Sequence, residues 1–390
     1  MLSYLLRRTH WPIALDIGTE SIKMLQMHCV GGRVGVRSCA RWPLPASVPR
    51  EGDGWRQAVV GGVRNILRKG NFRGERVISS LSCNQLKIKN VRLPSMSGRE
   101  LAKAVHSEAT ERFGCRFAPD QLHYIQAGQI RQGQDSYQEI ILLGAPGDVV
   151  ENHYAMLLEM GLRPVHIDAE PLAVFRPFER MLRRRADENF ISVIVDLGHS
   201  STKTIVARGR EILLIKRIGI GGRDFADAVA KQLNLPYEEA VDLRMQIQRG
   251  HARARGDDQE SDQNADRDPN SVSWTIVDAM RGVVEDLARE IALCLRYCSV
   301  TFRGLRPRQV TLTGGQAYDA AMVRLLAEQL GAPCEVGQPL KGIDTSGVDL
   351  GGDRRGMLAE WGVCAGLAFR AEEFERNTRK SDHEKNRLSA

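Results

Sequence analysis

The chain has 390 residues, of which 42% are hydrophobic and 26% charged. That is an ordinary soluble balance with ample material for a buried core, and it excludes global disorder and a fibrous repeat. Lysine and arginine total 55 against 48 aspartates and glutamates, a formal charge of +7. An excess so modest and dispersed points to an arginine-rich solvated surface, with no nucleic acid expected as a partner. The eight cysteines form no C-x-x-C pair, so they read as small core residues in a reducing compartment. No apolar run nears the ~20 residues that a bilayer crossing needs. The opening MLSYLLRRTH sets its charges after its apolar residues, the wrong order for a secretory signal. A cytoplasmic protein is expected.

Strand and helix signals alternate along the chain. Residues 12–26 open on an apolar run, IALDIG, that ends in a glycine turn, and 34–41 reads as another strand. Residues 55–69 read as a helix with Val59, Val63, Ile66 and Leu67 on one side, stopped at Gly70, and 76–82 as a strand. Ser97 and Glu100 form an S-x-x-E capping box ahead of a helix in which Leu101, Val105, Ala109 and Phe113 recur every fourth residue. A strand at 138–144 and a helix at 149–160 follow, and 86–160 is expected to fold as a compact unit inserted into the first half. Further strands are expected at 165–167, 191–196 and 310–312, and a hairpin over 204–207 and 212–218. Helices are expected at 224–233, 275–302 and 319–330. Residues 249–270 hold no aliphatic residue larger than alanine and are expected to be a disordered insertion; 371–390 reads as a disordered polar tail.

One repeat carries the functional inference. IALDIGTESIK, 13–23, and VIVDLGHSSTK, 193–203, place Asp16 with Asp196, Gly18 with Gly198 and Lys23 with Lys203, so two halves open with the same device. A strand that ends in D-x-G turns back as a hairpin. The glycine permits close backbone approach, and the small polar residues after it turn amides and hydroxyls toward one point, which makes a phosphate cradle. The aspartate repels phosphate but can hold a magnesium ion that bridges phosphates. VTLTGG, 310–315, adds a strand and a Gly314–Gly315 turn that leaves room for a flat base. Glu170, in DAEPL at an expected strand end, can orient an attacking water; an acid at a helix N-terminus is its other reading.

DIGTES, DAEPLAVF, DLGHSST and LTGGQA, in this order, are similar to the phosphate loops, connecting segment and adenosine motif of the actin, Hsp70 and sugar-kinase superfamily. With LPSMSGRELAKAVHSEATERF, IGIGGRDFADAVAKQLNLPYEEAVDLR and LTGGQAYDAAMVRLLAEQLGAPCEVGQPL, they resemble the PilM family of actin-like proteins of type IV pilus assembly, related to the cell-division protein FtsA, over about residues 11–370. The resemblance implies an α/β, actin-like ATPase fold of two duplicated ribonuclease-H-like lobes. Lobe 1A would take 1–85 and 161–190, an inserted subdomain 1C 86–160, lobe 2A 191–240 and 306–370, and subdomain 2B 241–305. ATP and magnesium are the implied ligands. Asp16 and Asp196 would position the metal through water, and Gly18, Thr19, Gly198, Ser200, Ser201 and Thr202 would cradle phosphates. Gly314 and Gly315 would line the adenosine pocket, Glu239 would meet the ribose, Glu170 would position water, and Lys23 would reach toward the phosphates. His199 stands where a small residue is expected, to donate to phosphate or to narrow the pocket. Alanine at Asp16 or Asp196 is therefore expected to weaken Mg–ATP binding and leave the fold intact.

The function so implied is an ATP-binding scaffold with slow turnover, peripheral to the cytoplasmic face of the inner membrane. It would capture the cytoplasmic N-terminal peptide of a PilN-like membrane protein between 1A and 1C, in a nucleotide-dependent way. Pilus motor ATPases and further copies of the chain, in a ring or filament, are the other candidate partners. Two alternatives stay open. One is an FtsA-like filament protein, against which the polar tail counts. The other is a small-molecule kinase of the same superfamily, which needs a catalytic base beside a polar substrate pocket.

Overall fold

A computed structural model describes residues 10–45, 47–49, 51–96, 98–182, 184–254, 271–302, 307, 309–351 and 357–388. The elements begin β1 (Ile13–Ile17), β2 (Ser21–Val30), β3 (Arg33–Pro43), α1 (Gly52–Lys69), β4 (Arg76–Leu81), β5 (Lys87–Pro94), α2 (Gly98–Phe113), β6 (Leu122–Gln132) and β7 (Asp135–Gly144). Then come α3 (Gly147–Glu159), β8 (Arg163–Ala169), α4 (Glu170–Glu179), β9 (Ile191–Leu197), β10 (Thr202–Arg208), β11 (Glu211–Ile218), α5 (Gly222–Leu233) and α6 (Tyr237–Ala254). The last are α7 (Val272–Thr301), β12 (Val310–Thr313), α8 (Ala320–Leu330), β13 (Cys334–Val336) and α9 (Gly362–Leu388). They form two compact units. One gathers the chain up to Leu86 with Ala145–Arg180 and the part from Pro339 on; the other joins Lys87–Gly144 to Met181–Gln338.

The first unit's sheet runs β3-β2-β1-β4-β8, with β1 antiparallel to β2 and parallel to β4. The second unit's sheet runs β11-β10-β9-β12-β13, and its strand directions repeat the first, strand for strand. The repeat seen in eleven-residue segments is thus a repeat of whole sheets, with β1 and β9 in the same central place. β1 reads as a continuous apolar run because both of its faces are covered. Ile13 and Leu15 join Val59, Val63 and Ile66 of α1 and Met156 and Leu157 of α3 in one core. On the opposite side α9 packs against β1, β2, β4 and α4, and the Cys364 thiol donates to the Ala14 carbonyl at 3.6 Å. Each buried aliphatic side chain of this kind stabilises by about 1.5–3 kcal/mol relative to exposure.

Three expected boundaries move. The inserted unit ends at Gly144, not at 160: α3 turns Met156 and Leu157 into the first sheet's core. Residues from Pro339 on belong with the first sheet, not with lobe 2A, because α9 supplies the cover for β1. Residues 371–388, expected to be a disordered tail, continue α9. Ala371 is buried, Glu375 pairs with Arg76 at 2.6 Å, and the local pairs Arg370–Glu373 and Arg376–Glu372 support the helix. Of the expected insertion, 249–254 are the end of α6; 255–270 lie outside the described residues, as does Ser97 of the capping box.

The three-stranded sheet β5-β7-β6 carries α2 on one face, where Leu101, Val105 and Ala109 meet Val91, Leu93, Ile140 and Leu142. One polar link ties it to the rest of the second unit. Glu139 of β7 is buried, accepts from Arg92 Nε at 2.6 Å, and accepts from the Tyr297 hydroxyl of α7 at 3.1 Å. Burial, helped by that carboxylate, pushes the Tyr297 phenol up to about 12.

Candidate functional site

Both D-x-G turns close in the same way. The Gly18 amide donates to the Ser21 carbonyl at 3.2 Å, and the Gly198 amide to the Ser201 carbonyl at 3.2 Å. A Cβ on either glycine would lie 2.8 Å from that carbonyl, so only glycine lets the turn close. Closure sets Asp16 opposite Lys23 and Asp196 opposite Lys203 in the antiparallel register. Lys23 Nζ lies 3.4 Å from Asp16 Oδ2, and Lys203 Nζ lies 3.0 Å from Asp196 Oδ2. The side chains of the second pair are both at least nine-tenths buried. Charges this deep persist when paired and hydrogen-bonded, and the repeat places the partner for each at a fixed offset.

In the second unit the turn is braced by the start of α5. The Gly222 amide donates to the Gly198 carbonyl and the Arg223 amide to the His199 carbonyl, each at 2.9 Å. A Cβ on Gly221 would lie 2.7 Å from the Ser201 nitrogen. The Thr202 hydroxyl, expected on phosphate, donates instead to the Ile220 carbonyl at 2.7 Å. Gly198, His199 and Ser200 are half-buried at the turn, while Ser201 is buried. The Gly314–Gly315 turn after β12 crosses the end of β9. The Gln316 amide donates to the Leu197 carbonyl at 3.2 Å, and a Cβ on Gly314 would lie 2.7 Å from Asp196 Oδ1. Gly314, at φ +91°, is thereby held against the aspartate.

Two residues that the motif reading left without a role bind this arrangement together. Lys203 was visible only as the partner of Lys23 in the repeat. Arg244 of α6 carried no sequence signal. Buried beneath the turns, it donates to the Gly222 carbonyl at 3.0 Å and the Gln316 side chain at 3.2 Å, lies 3.5 Å from Asp319, and covers the Phe225 ring at 5.4 Å. Asp319 in turn caps α8 through the Met322 amide at 3.1 Å. Glu239 stands exposed in the first turn of the same α6.

In the first unit the structure brings Asp16, Gly18 and Lys23 together, with Thr19 exposed at the turn. Glu170 directly follows the last residue of β8 and is the first residue of α4. Its Oε2 accepts the Cys83 amide at 2.7 Å, so this carboxylate fixes the chain after β4 and meets the helix dipole.

The second turn is closed on its own backbone, and the Lys203 ammonium lies 3.3 Å from where a Cβ on Gly198 would stand, which gives the turn a positive charge at close range. It does not suit the magnesium expected at Asp196. One carboxylate oxygen is bound by Lys203, and a Cβ on Gly314 would lie 2.7 Å from the other. A magnesium ion keeps several waters in near-octahedral geometry, and this carboxylate offers it neither room nor uncompensated charge. Asp16 likewise already has a counter-ion.

The family model described as type IV pilus assembly protein PilM matches residues 14–251, more than half of the chain. The model of the cell division protein FtsA matches residues 193–349. Among solved structures, a PilM–PilN type IV pilus biogenesis complex is similar with a TM-score of 0.71 at 23% identity, over 92% of this chain and 98% of that one. MreB5 of Spiroplasma citri bound to ADP gives 0.52 at 11% identity over 95% and 99%. The ethanolamine utilization protein EutJ from Carboxydothermus hydrogenoformans gives 0.51 at 15% over 92% and 89%. The fold is therefore the actin-like one that the doubled sheets suggested. Among the described residues no helix is long and apolar enough to cross a membrane. The matched model, the doubled D-x-G hairpins and the inserted three-stranded sheet agree, and the chain belongs to the PilM family of type IV pilus assembly proteins.

Proposed function

We propose that this chain is a nucleotide-binding scaffold of type IV pilus assembly. It would hold a cytoplasmic segment of a PilN-like inner-membrane protein, at the periphery of that membrane, with a grip that depends on bound nucleotide. The observation that carries the nucleotide reading is the pair of glycine turns closed by the same hydrogen bond, each with a cationic side chain at the same offset. Gly198, His199 and Ser200 would meet phosphates in the second unit, and Gly18 and Thr19 in the first; Gly314, Gly315 and Glu239 would flank the nucleoside. The partner reading is supported by likeness to the PilM–PilN complex over nearly the whole of both chains.

The test is fluorescence anisotropy of a labelled peptide from the cytoplasmic N-terminus of a PilN-like protein of the same organism, with and without ATP or ADP. Binding whose affinity changes at least about threefold with nucleotide is expected. Absence of binding refutes the partner, and equal binding in all conditions refutes the coupling. The FtsA match favours a second reading, a self-assembling filament. Material that pellets with ATP and shows filaments by electron microscopy would select it.

A further inference from the structure

We propose that Lys203 brings to the second hairpin the positive charge that a divalent cation would otherwise supply, so that this chain binds nucleoside polyphosphate without divalent metal. The inference rests on the nucleotide reading of the hairpins and deepens it.

The geometry is specific to the place. Lys203 Nζ lies 3.0 Å from Asp196 Oδ2, with both side chains at least nine-tenths buried. The same Nζ lies 3.3 Å from where a Cβ on Gly198 would stand. The ammonium is therefore at close range to the turn proposed to meet a phosphate. An ammonium is a compact point charge with three donors, able to serve a carboxylate and a phosphate oxygen together. Its position is fixed by the ladder, since Lys203 is the cross-strand partner of Asp196. It cannot swing into solvent without leaving Asp196 buried and uncompensated.

The carboxylate, by contrast, already has Lys203 on Oδ2, and the bare Gly314 Cα sits close to Oδ1, where even a Cβ would be only 2.7 Å away. A dication at this carboxylate would meet the charge of Lys203, 3.0 Å from Oδ2. Lys203 neutralises Asp196, so the repulsion between this carboxylate and an incoming polyphosphate is removed in advance, which is what a bridging metal does where such a lysine is lacking.

The experiment is calorimetric titration of the full chain with ATP and with ADP, once in EDTA and once in excess magnesium. The wild-type affinities are expected to agree within about threefold. Lys203→Met is expected to bind at least about tenfold more weakly in EDTA and to regain part of that loss with magnesium, because Asp196 is then released. Wild-type binding that falls about tenfold or more in EDTA overturns the inference and leaves the nucleotide reading standing. So does Lys203→Met binding as tightly as wild type in EDTA. No binding of either nucleotide in any condition overturns both. The wild-type comparison needs no variant and decides the matter even if Lys203→Met does not fold.

Discussion

Asp196→Asn is the substitution whose consequence the structure fixes most tightly. It deletes the counter-charge of a lysine that is nine-tenths buried and 3.0 Å away, and keeps the shape of the side chain. Removing one member of a buried pair costs about 3–5 kcal/mol, because the other charge stays desolvated without compensation. In a folding unit of 150–250 residues, each kcal/mol moves the melting temperature by about 2–4 °C, so a fall of about 10 °C is expected. The double variant Asp196→Asn/Lys203→Met removes both charges and should recover most of the loss, to within about 1–2 kcal/mol of wild type. Asp16→Asn should cost less, since its lysine is 3.4 Å away. Calorimetric melts of the four proteins make the comparison. An Asp196→Asn protein within about 1 kcal/mol of wild type, or a double variant no better than the single, would refute the reasoning. A fall of this size would set aside the expectation that either aspartate can be removed with the fold intact, since each carboxylate pairs with the lysine across its hairpin.

His153 of α3 is buried against the Ser79 hydroxyl at 3.1 Å, and burial lowers its imidazole to about 4. The folded ring stays neutral while the unfolded ring takes a proton near its ordinary 6.5. Stability should therefore fall as pH drops from about 6.5 to about 4, by up to roughly 3 kcal/mol, and urea melts of His153→Gln should lack that slope; parallel slopes would contradict it. Glu170→Ala should lower stability by about 1–3 kcal/mol through the stranded Cys83 amide, whereas an unchanged melt with slower ATP turnover would return Glu170 to the water-positioning role. Tyr297→Phe should cost about 1.5–3 kcal/mol by removing a donor to the buried Glu139. Hydrogen exchange should then rise in β7; unaltered exchange and melting would show that the link carries no stability.

Much of this was legible because it is local. The run IALDIG and its copy VIVDLG each encode a covered central strand, a glycine turn and an aspartate within a few residues, and both strands occupy the middle of their sheets. α1, α2, α5 and α8 announced themselves by apolar spacing, because each buries one stripe. What was not legible depends on partners far away in sequence. GVCAGLAF looks like any small-residue segment until β1 and α4 are beside it, where Gly366 lets α9 come against the Ala173 carbonyl. The polar stretch 371–388 lacks the apolar content that marks a packed helix; continuity with α9 and a few ion pairs carry it instead. Arg244 sits in a helix rich in charge, and nothing in its neighbours distinguishes a buried, four-way tie from a solvated arginine. Lys203 was visible as a repeat of Lys23, but that it neutralises its own aspartate follows only from the ladder register.

The placement of α9 has a consequence for how the protein is made. Ala14 and Cys364, which touch, are 350 positions apart, and at about 5–20 residues per second a ribosome needs roughly 20–70 s to deliver the second after the first. Through that interval β1 lacks the helix that shields one of its faces, while the whole of the other unit is synthesised. Closing so long a loop costs about 5 kcal/mol of chain entropy before any contact repays it. A strand made 350 positions ahead of its cover is thus among the last to be sheltered, and a nascent chain stalled anywhere before Gly362 would present the apolar side of β1 to whatever chaperone or neighbouring strand meets it first.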